Sequence, residues 1–369
     1  MKRLLPFFFL ILFSACDEIP EIEQVIFQQG KEGYACYRIP AIVTSNKGTL
    51  LAFAEGRKNG CSDTGDIDLV IKRSADNGLT WGPLEVIWDG GENVCGNPAP
   101  VVDVKTGTIW LLSTWNLESD HESRIINQSS EDTRRVFVLS SEDDGKTWSG
   151  AREITETTKL KTWTWYATGP VHGIQLEEGQ YKGRLVIPCD HIEADTKHYY
   201  SHIIYSDDHG DTWSLGGSTP QHQVNECTVA ELDDGTLMLN MRNYDRSKRT
   251  RKISLSVDGG ENWGDVYADD QLPEPICQGS ILKSNWKVNG ESEYFFINPS
   301  HSTSRENMTL KISHDQAATW TDSIQLHNGP SAYSDITIIK KRVLACLFEA
   351  GEKSAYETIT FKTVKLENR

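Results

Sequence analysis

The chain is short of positive charge. Its 53 aspartates and glutamates outnumber 37 lysines and arginines, leaving a formal net charge of −16 over 369 residues. A surface this acidic excludes nucleic acid as a partner, which requires a basic face. It also excludes an anion held by the general field of the protein. Any anionic ligand has to be gripped by a local arginine cluster. Cysteine is sparse and unpatterned: eight occur, with no CxxC pair. That spacing predicts neither a disulfide framework nor a zinc site. Setting Cys16 aside, Cys36, Cys61, Cys95, Cys189, Cys227, Cys277 and Cys346 read as small buried apolar residues. After Phe13 no segment is apolar enough to cross a bilayer.

What is there begins with an address. Lys2 and Arg3 precede an apolar run, Leu4 to Phe13, too short to span a membrane, and Ser14-Ala15 lead to Cys16. This resembles a bacterial lipoprotein signal over residues 1–15, with lipid on Cys16, although Phe13 also suits an ordinary secretory signal. Residues 16–23 then form a short tether, and 24–369 a single domain. The mature protein is expected to be exported, as a surface or outer-membrane lipoprotein, or periplasmic or secreted. Its only membrane contact would be the Cys16 anchor.

One element recurs five times. It reads Ser-x-Asp-x-Gly-x-Thr-Trp at Ser74–Trp81, Ser141–Trp148 and Ser206–Trp213. Looser copies run from Ser256 to Trp263, with Asn262 for Thr, and from Ser313 to Trp320, with Ala317 for Gly. An Asp that bonds its own backbone, a Gly free to adopt positive φ and a covering Trp make a hairpin tip. Ahead of each lies a second hairpin on a Gly-centred turn, as in Ala41–Phe53 around Gly48, Val101–Leu112 and Val229–Leu239. Looser versions run from Gly173 to Pro188 and from Gly279 to Ile297, and a sixth spans Asp335 to Phe348. The unit is thus four antiparallel strands repeated about every 50–65 residues.

Six such units predict an all-β, six-bladed β-propeller. The strand missing from the last unit would be Gln24–Gln28, supplied by the N-terminus. A β-sandwich has no reason to repeat the same tip. The tips should lie on one face as structural turns. The starts of first strands, the ends of second strands and the loops that follow should lie on the other.

On that other face fall Arg38 in Tyr37-Arg-Ile-Pro40, Arg57 in Ala54-Glu-Gly-Arg57, and Asp63. Glu226 in Asn225-Glu-Cys227 joins them, with Arg242 sixteen positions beyond it, Arg305, Tyr333 in Ser331-Ala-Tyr-Ser-Asp335, and Glu349. Any one could be an ordinary surface or packing residue. Together, four arginines on one face of an acidic chain are hard to read as a random solvated surface.

This ordered set of motifs resembles the exo-α-sialidase (neuraminidase) family, from about Val25 to the C-terminus. The resemblance implies that Arg38, Arg242 and Arg305 grip the sialic acid carboxylate, as guanidinium forks suit planar carboxylates. It makes Tyr333 the nucleophile, Glu226 its general base and Asp63 the acid/base. A neutral phenol avoids repulsion between a carboxylate nucleophile and the carboxylate on the anomeric carbon. Glu349 would orient Arg38, Arg57 would contact the C4 hydroxyl, and Asn97 in Gly96-Asn-Pro98 would lie near the sugar's polar substituents. Trp115, Trp163 and Trp165 are placed at loops of the same face as a possible wall. His172 and His191 are expected to be structural. No metal site or cofactor is expected, and the partner would be a sialylated glycan met by a monomer. Two other readings stay open. One is transfer to another sugar, or hydrolysis of a related ulosonic acid such as KDN or Kdo. The other is a propeller that only binds glycans, although a binder would need the arginines alone.

Overall fold

In the computed structural model, residues 19–367 are described. The expected signal at 1–15 and the expected lipidation site Cys16 lie outside them. Strand β1 (Glu23–Gln28) leads the chain. A first antiparallel meander follows: β2 (Cys36–Thr44), β3 (Leu50–Arg57), β4 (Ile67–Ser74) and β5 (Glu85–Trp88). The second comprises β6 (Val94–Val102), β7 (Ile109–Asn116), β8 (Arg135–Ser141) and β9 (Arg152–Glu153). In the third, β10 (Trp163–Thr168) and β11 (Ile174–Gln175) both pair with β12 (Leu185–Glu193), then β13 (Tyr199–Ser206) and β14 (Ser214–Ser218) follow. The fourth is β15 (Val224–Glu231), β16 (Leu237–Asn243), β17 (Thr250–Ser256) and β18 (Tyr267–Pro273). The fifth is β19 (Ser280–Val288), β20 (Glu291–Pro299), β21 (Glu306–Ser313) and the first half of β22 (Asp322–Lys340). The second half of β22 opens the sixth, with β23 (Val343–Ala350), β24 (Thr358–Lys365) and, across the chain, β1. Short helices α1 (Glu122–Ile126) and α2 (Thr155–Thr158) sit between strands. The fold is all-β, and no sheet closes on itself among the described residues.

The N-terminal strand expected to complete the last unit does so: Glu23 to Gln28 pair with Lys362 to Thr358. The third unit differs from expectation. Its first strand begins at Trp163, ahead of Gly173, and splits where Gly169 takes φ +61° and Pro170 lacks an amide hydrogen. Trp163 and Trp165 therefore lie on β10, and Trp115 on β7, rather than in loops.

Packing runs between neighbours. Apolar clusters join the first meander to the second through Phe53 and Leu111, and the second to the third through Val101 and Ile187. Others join third to fourth through Ile203 and Leu239, fourth to fifth through Ile253 and Phe296, and fifth to sixth through Phe295 and Phe348. A further cluster returns from sixth to first through Phe361 and Ile42. The repeated tips dock in the same sense. At Gly78 (φ +88°) a Cβ would come within 2.4 Å of Phe361 in the preceding unit, so only glycine suits both the backbone and the contact. Within the first tip Ser74 donates to Asp76 at 2.8 Å, and Asp76 accepts from the Thr80 amide and hydroxyl at 2.9 and 2.6 Å. The looser copies keep this geometry. The Asn262 amide replaces the threonine hydroxyl at 2.8 Å, and Ala317 takes φ +61°.

Near the inner strands, Asp335 ties four meanders together. Its fully buried carboxylate accepts from the Ile42 amide (2.9 Å), the His172 amide and ring (3.1 and 2.6 Å), Ser280 (2.8 Å) and its neighbour Ile336 (2.8 Å). His172 is thereby structural. Replacing Asp335 by Ala strips five donors of their acceptor, and the expected loss is about 3–5 kcal/mol. Urea denaturation checks this, and a loss below about 1 kcal/mol would contradict the hub role.

Candidate active site

The inner ends of the strands converge on a cavity of about 220 Å³ lined by charged and aromatic side chains. Its construction begins with two strained residues. Ile39, β-branched, sits at φ +59° between Arg38 and Pro40, where the β2–β3 register slips. Asn97 sits at φ +57° before Pro98, where the β6–β7 register slips likewise. Such backbone costs on the order of 1–3 kcal/mol and persists only when its surroundings hold it. A buried glutamate from the neighbouring meander holds each one. The Ile39 amide donates to Glu349 at 2.9 Å, and the Asn97 amide donates to Glu55 at 2.8 Å. The bends turn Arg38 and Asn97 into the cavity.

Glu349, fully buried, also accepts from Arg38 Nε at 2.6 Å and from the Tyr333 amide at 3.0 Å. One carboxylate thus fixes a guanidinium, a backbone bend and the strand carrying Tyr333. The Tyr333 hydroxyl donates to Glu226 Oε1 at 2.5 Å, and Arg242 donates to the same hydroxyl at 3.0 Å and to Glu226 Oε2 at 2.6 Å. The guanidinium carbons of Arg38 and Arg305 lie 5.3 and 5.6 Å from the Tyr333 ring centre. Arg305 bonds the Tyr356 hydroxyl (3.1 Å) and the Ile276 carbonyl (2.9 Å). Tyr356 in turn lies 3.9 Å from the Arg38 guanidinium. Three guanidiniums therefore surround one phenol. Burial, and then the Glu226 charge, push the Tyr333 phenol well above its usual range, against the opposing pull of Arg242 and Arg305.

Asp63 stands at the rim, its side chain 75% exposed, 2.7 Å from Arg57 and 4.0 Å from Arg38. Desolvation alone would raise its carboxyl, but Arg57 and then Arg38 outweigh it and hold it below the ordinary carboxylate range. Arg57 is fixed by Glu55 (3.0 and 2.5 Å) and by the Cys61 carbonyl (2.7 Å).

All nine site residues read from the sequence are here. Glu349 lies just behind the lining, and the other eight (Arg38, Arg57, Asp63, Asn97, Glu226, Arg242, Arg305 and Tyr333) are in it. Of the three tryptophans, only Trp165 lines the cavity. Trp163 stacks on His191 at 3.5 Å in the core, and Trp115 packs beside Arg135. His191 is buried and structural.

One expectation fails outright. Cys36 and Cys61 form a disulfide, tying β2 to the Asp63 loop. The strand register places Cys36 opposite Arg57, four residues before Cys61, a proximity that spacing along the chain conceals. The other five cysteines described are free and buried, as expected.

Sequence reasoning missed Glu55, Glu122, Arg134, Asp190, Tyr244 and Tyr356. Glu55 and Asp190 lie near the ends of second strands, as Glu349 does, so the same topological rule would have found them. Arg134 precedes β8 on the same face, lies 4.2 Å from the Trp165 ring centre, and is pulled down to about 10 by burial. It donates to the side-chain oxygens of Asn97 and Asn116. Because arginine only donates, it fixes which end of the Asn97 amide is which and leaves the Asn97 nitrogen for a ligand. Burial raises the carboxyls of Glu122 and, more strongly, Asp190. Among the described residues no three His, Cys, Asp or Glu side chains group as a metal site.

This fold and site define a class before any comparison. It is an all-β protein of repeated antiparallel meanders holding three arginines around a tyrosine–glutamate pair. Residues 48–344 match the family described as BNR repeat-like domain. A sialidase of Bacteroides fragilis is 32% identical over 92% of this chain and 64% of its own length. An exo-alpha-sialidase of Aspergillus fumigatus is 34% identical over 78% and 70%, and human Sialidase-3 is 30% identical over 91% of both chains. A solved structure described as Hadza microbial sialidase Hz136 superposes with a TM-score of 0.84 at 32% identity, covering 94% of this chain and 68% of that one. The chain belongs to the exo-α-sialidase family. It spans 64% of the Bacteroides fragilis protein and 53% of a Micromonospora viridifaciens sialidase, so those relatives are considerably longer.

Replacing Arg57 by Gln removes the nearest cation from Asp63 while leaving Glu55 a hydrogen-bond donor. The Asp63 carboxylate loses stabilisation, so its titration moves to higher pH. Carboxyl-carbon NMR reads this directly, and an unmoved titration would contradict the electrostatic account.

Proposed function

We propose that this chain is a retaining exo-α-sialidase that hydrolyses terminal α-linked sialic acid from glycans through a tyrosyl intermediate. The observation carrying this reading is the Tyr333–Glu226 contact of 2.5 Å within a ring of three arginines. A protein that only bound glycans would need the arginines but not that pair.

The geometry supports the following course. Arg38, Arg242 and Arg305 hold the sugar carboxylate, bringing the anomeric carbon over Tyr333. The phenol is held protonated at rest, so its proton passes to Glu226 as the oxygen attacks. Asp63 protonates the departing glycosidic oxygen. It is held ionised in the free protein by Arg57 and Arg38, and the arriving carboxylate offsets that positive charge and raises its proton affinity. In the second half Asp63 takes a proton from water, which attacks the anomeric carbon. The tyrosyl bond breaks and Glu226 returns its proton to Tyr333. The rim position of Asp63 suits a leaving group that exits to solvent. The Asn97 nitrogen, freed by Arg134, suits an acceptor oxygen on the sugar's substituents.

Two structural expectations accompany this reading. The six meanders are blades of one propeller, which the return of packing from sixth to first and the β1–β24 pairing support. The chain works in an exported, oxidising compartment, which the Cys36–Cys61 disulfide supports.

Proton NMR of an α-sialoside incubated with the protein gives the test. The unmutated protein should release the α-anomer first. Tyr333→Phe should lose at least about a hundredfold in kcat, and Asp63→Ala about 10²–10⁴-fold on an alkyl sialoside. Release of the β-anomer first would overturn the retaining mechanism, and no release would overturn the hydrolase. Sialyl-lactose formed with added lactose would mark transfer, and cleavage only of KDN- or Kdo-glycosides would mark a related substrate.

A further inference from the structure

The loop that carries the proposed acid/base is weakly built by its own backbone. Residues 58–66 connect β3 to β4 without helix or strand. Gly60 and Gly65 bracket the apex at φ +141° and +111°. Across its base run one backbone bond, from the Lys58 amide to the Asp66 carbonyl at 3.0 Å, and ion pairs from Lys58 to Asp66 and to Asp68 of β4. Among the described residues, Ser62 and Thr64 at the apex bond only each other, and Asp63 meets the body of the protein through arginines alone. With so few backbone bonds of its own, the loop depends on side chains for its position.

Cys61 supplies what the backbone lacks. Two residues before Asp63, it is joined covalently to Cys36 and accepts from Arg57 through its carbonyl. Cys36 is fully buried on β2, two residues before Arg38. One disulfide therefore references the Asp63 loop to the strand that carries a carboxylate-gripping arginine. The distance between leaving-group protonation and carboxylate recognition is fixed by a covalent path that avoids the rest of the loop.

From this geometry we propose that the Cys36–Cys61 disulfide is a positioning element for Asp63, required for protonation of poor leaving groups and dispensable for carboxylate binding. It rests on the sialidase reading of the site. Displacing Asp63 by about 1 Å is enough to lose on the order of a hundredfold. An aryl sialoside, whose phenolate departs with little help, should hardly notice, whereas a sialoside of a sugar alcohol depends on the acid.

The experiment compares the unmutated protein with Cys36→Ser/Cys61→Ser, and with native protein reduced by tris(2-carboxyethyl)phosphine and alkylated. Three quantities are read: kcat/KM for 4-methylumbelliferyl sialoside, kcat/KM for sialyl-lactose, and the inhibition constant of 2,3-didehydro-N-acetylneuraminic acid. The proposal expects sialyl-lactose cleavage to fall at least tenfold, with aryl cleavage and inhibitor affinity held within threefold. Retained inhibitor affinity also certifies that the opened protein is folded. In an Asp63→Ala background, opening the disulfide should cost nothing further. Equal losses on both substrates, no loss on either, or an added loss in the Asp63→Ala background would each overturn the proposal. If the unmutated protein cleaves neither sialoside while still binding the inhibitor, the hydrolase reading itself falls, and the proposal with it.

Discussion

One buried carboxylate, Glu349, underlies the arrangement of the whole site. It holds Arg38, the left-handed Ile39 and the amide of Tyr333 at once. The constraint it answers is general to this chain: cations must be buried together on one face of a strongly acidic molecule. Each buried guanidinium needs acceptors, and too many carboxylates would cancel the charge that a ligand is meant to meet. The solution is mixed. Arg38, Arg57 and Arg242 each bond a glutamate, while Arg305 bonds a phenol and a carbonyl, and Arg134 two amide oxygens. No carboxylate among the described residues pairs with Arg305 or Arg134. Arg305 and Arg134 thus face the cavity without a paired carboxylate.

The same division appears in the fold. Asp335 and the repeated tips supply stability at positions with no part in the cavity. Strain at Ile39 and Asn97 is confined to the inner strand ends, where glutamates of neighbouring meanders oppose it. Aiming of side chains and holding of the architecture are therefore largely assigned to different residues. Glu349 is where the two tasks meet.

Much of this was legible in the sequence because repetition is legible. Five tips and six hairpins, five of them turning on glycine, give the strand order, and strand order alone brings Arg38, Glu226 and Tyr333 to one face despite wide separation along the chain. Assigning them roles required family resemblance. What stayed hidden depends on register rather than order. Cys36 and Cys61 look unrelated until β2 and β3 pair, and the β10 tryptophans resemble loop residues until Gly169 and Pro170 are seen to split a strand. Arg134 was passed over because it stands in no motif. Its importance comes from being a donor-only group placed against Asn97.

Recognition of a carboxylate is the central step of the proposed activity. Competitive inhibition by 2,3-didehydro-N-acetylneuraminic acid, set beside its methyl ester, measures that recognition directly, since esterification removes the charge presented to Arg38, Arg242 and Arg305 and adds only a methyl group. The acid should bind at least about thirtyfold more tightly, equivalent to about 2 kcal/mol, with the difference shrinking in Arg305→Gln. Equal inhibition by acid and ester would contradict the central claim.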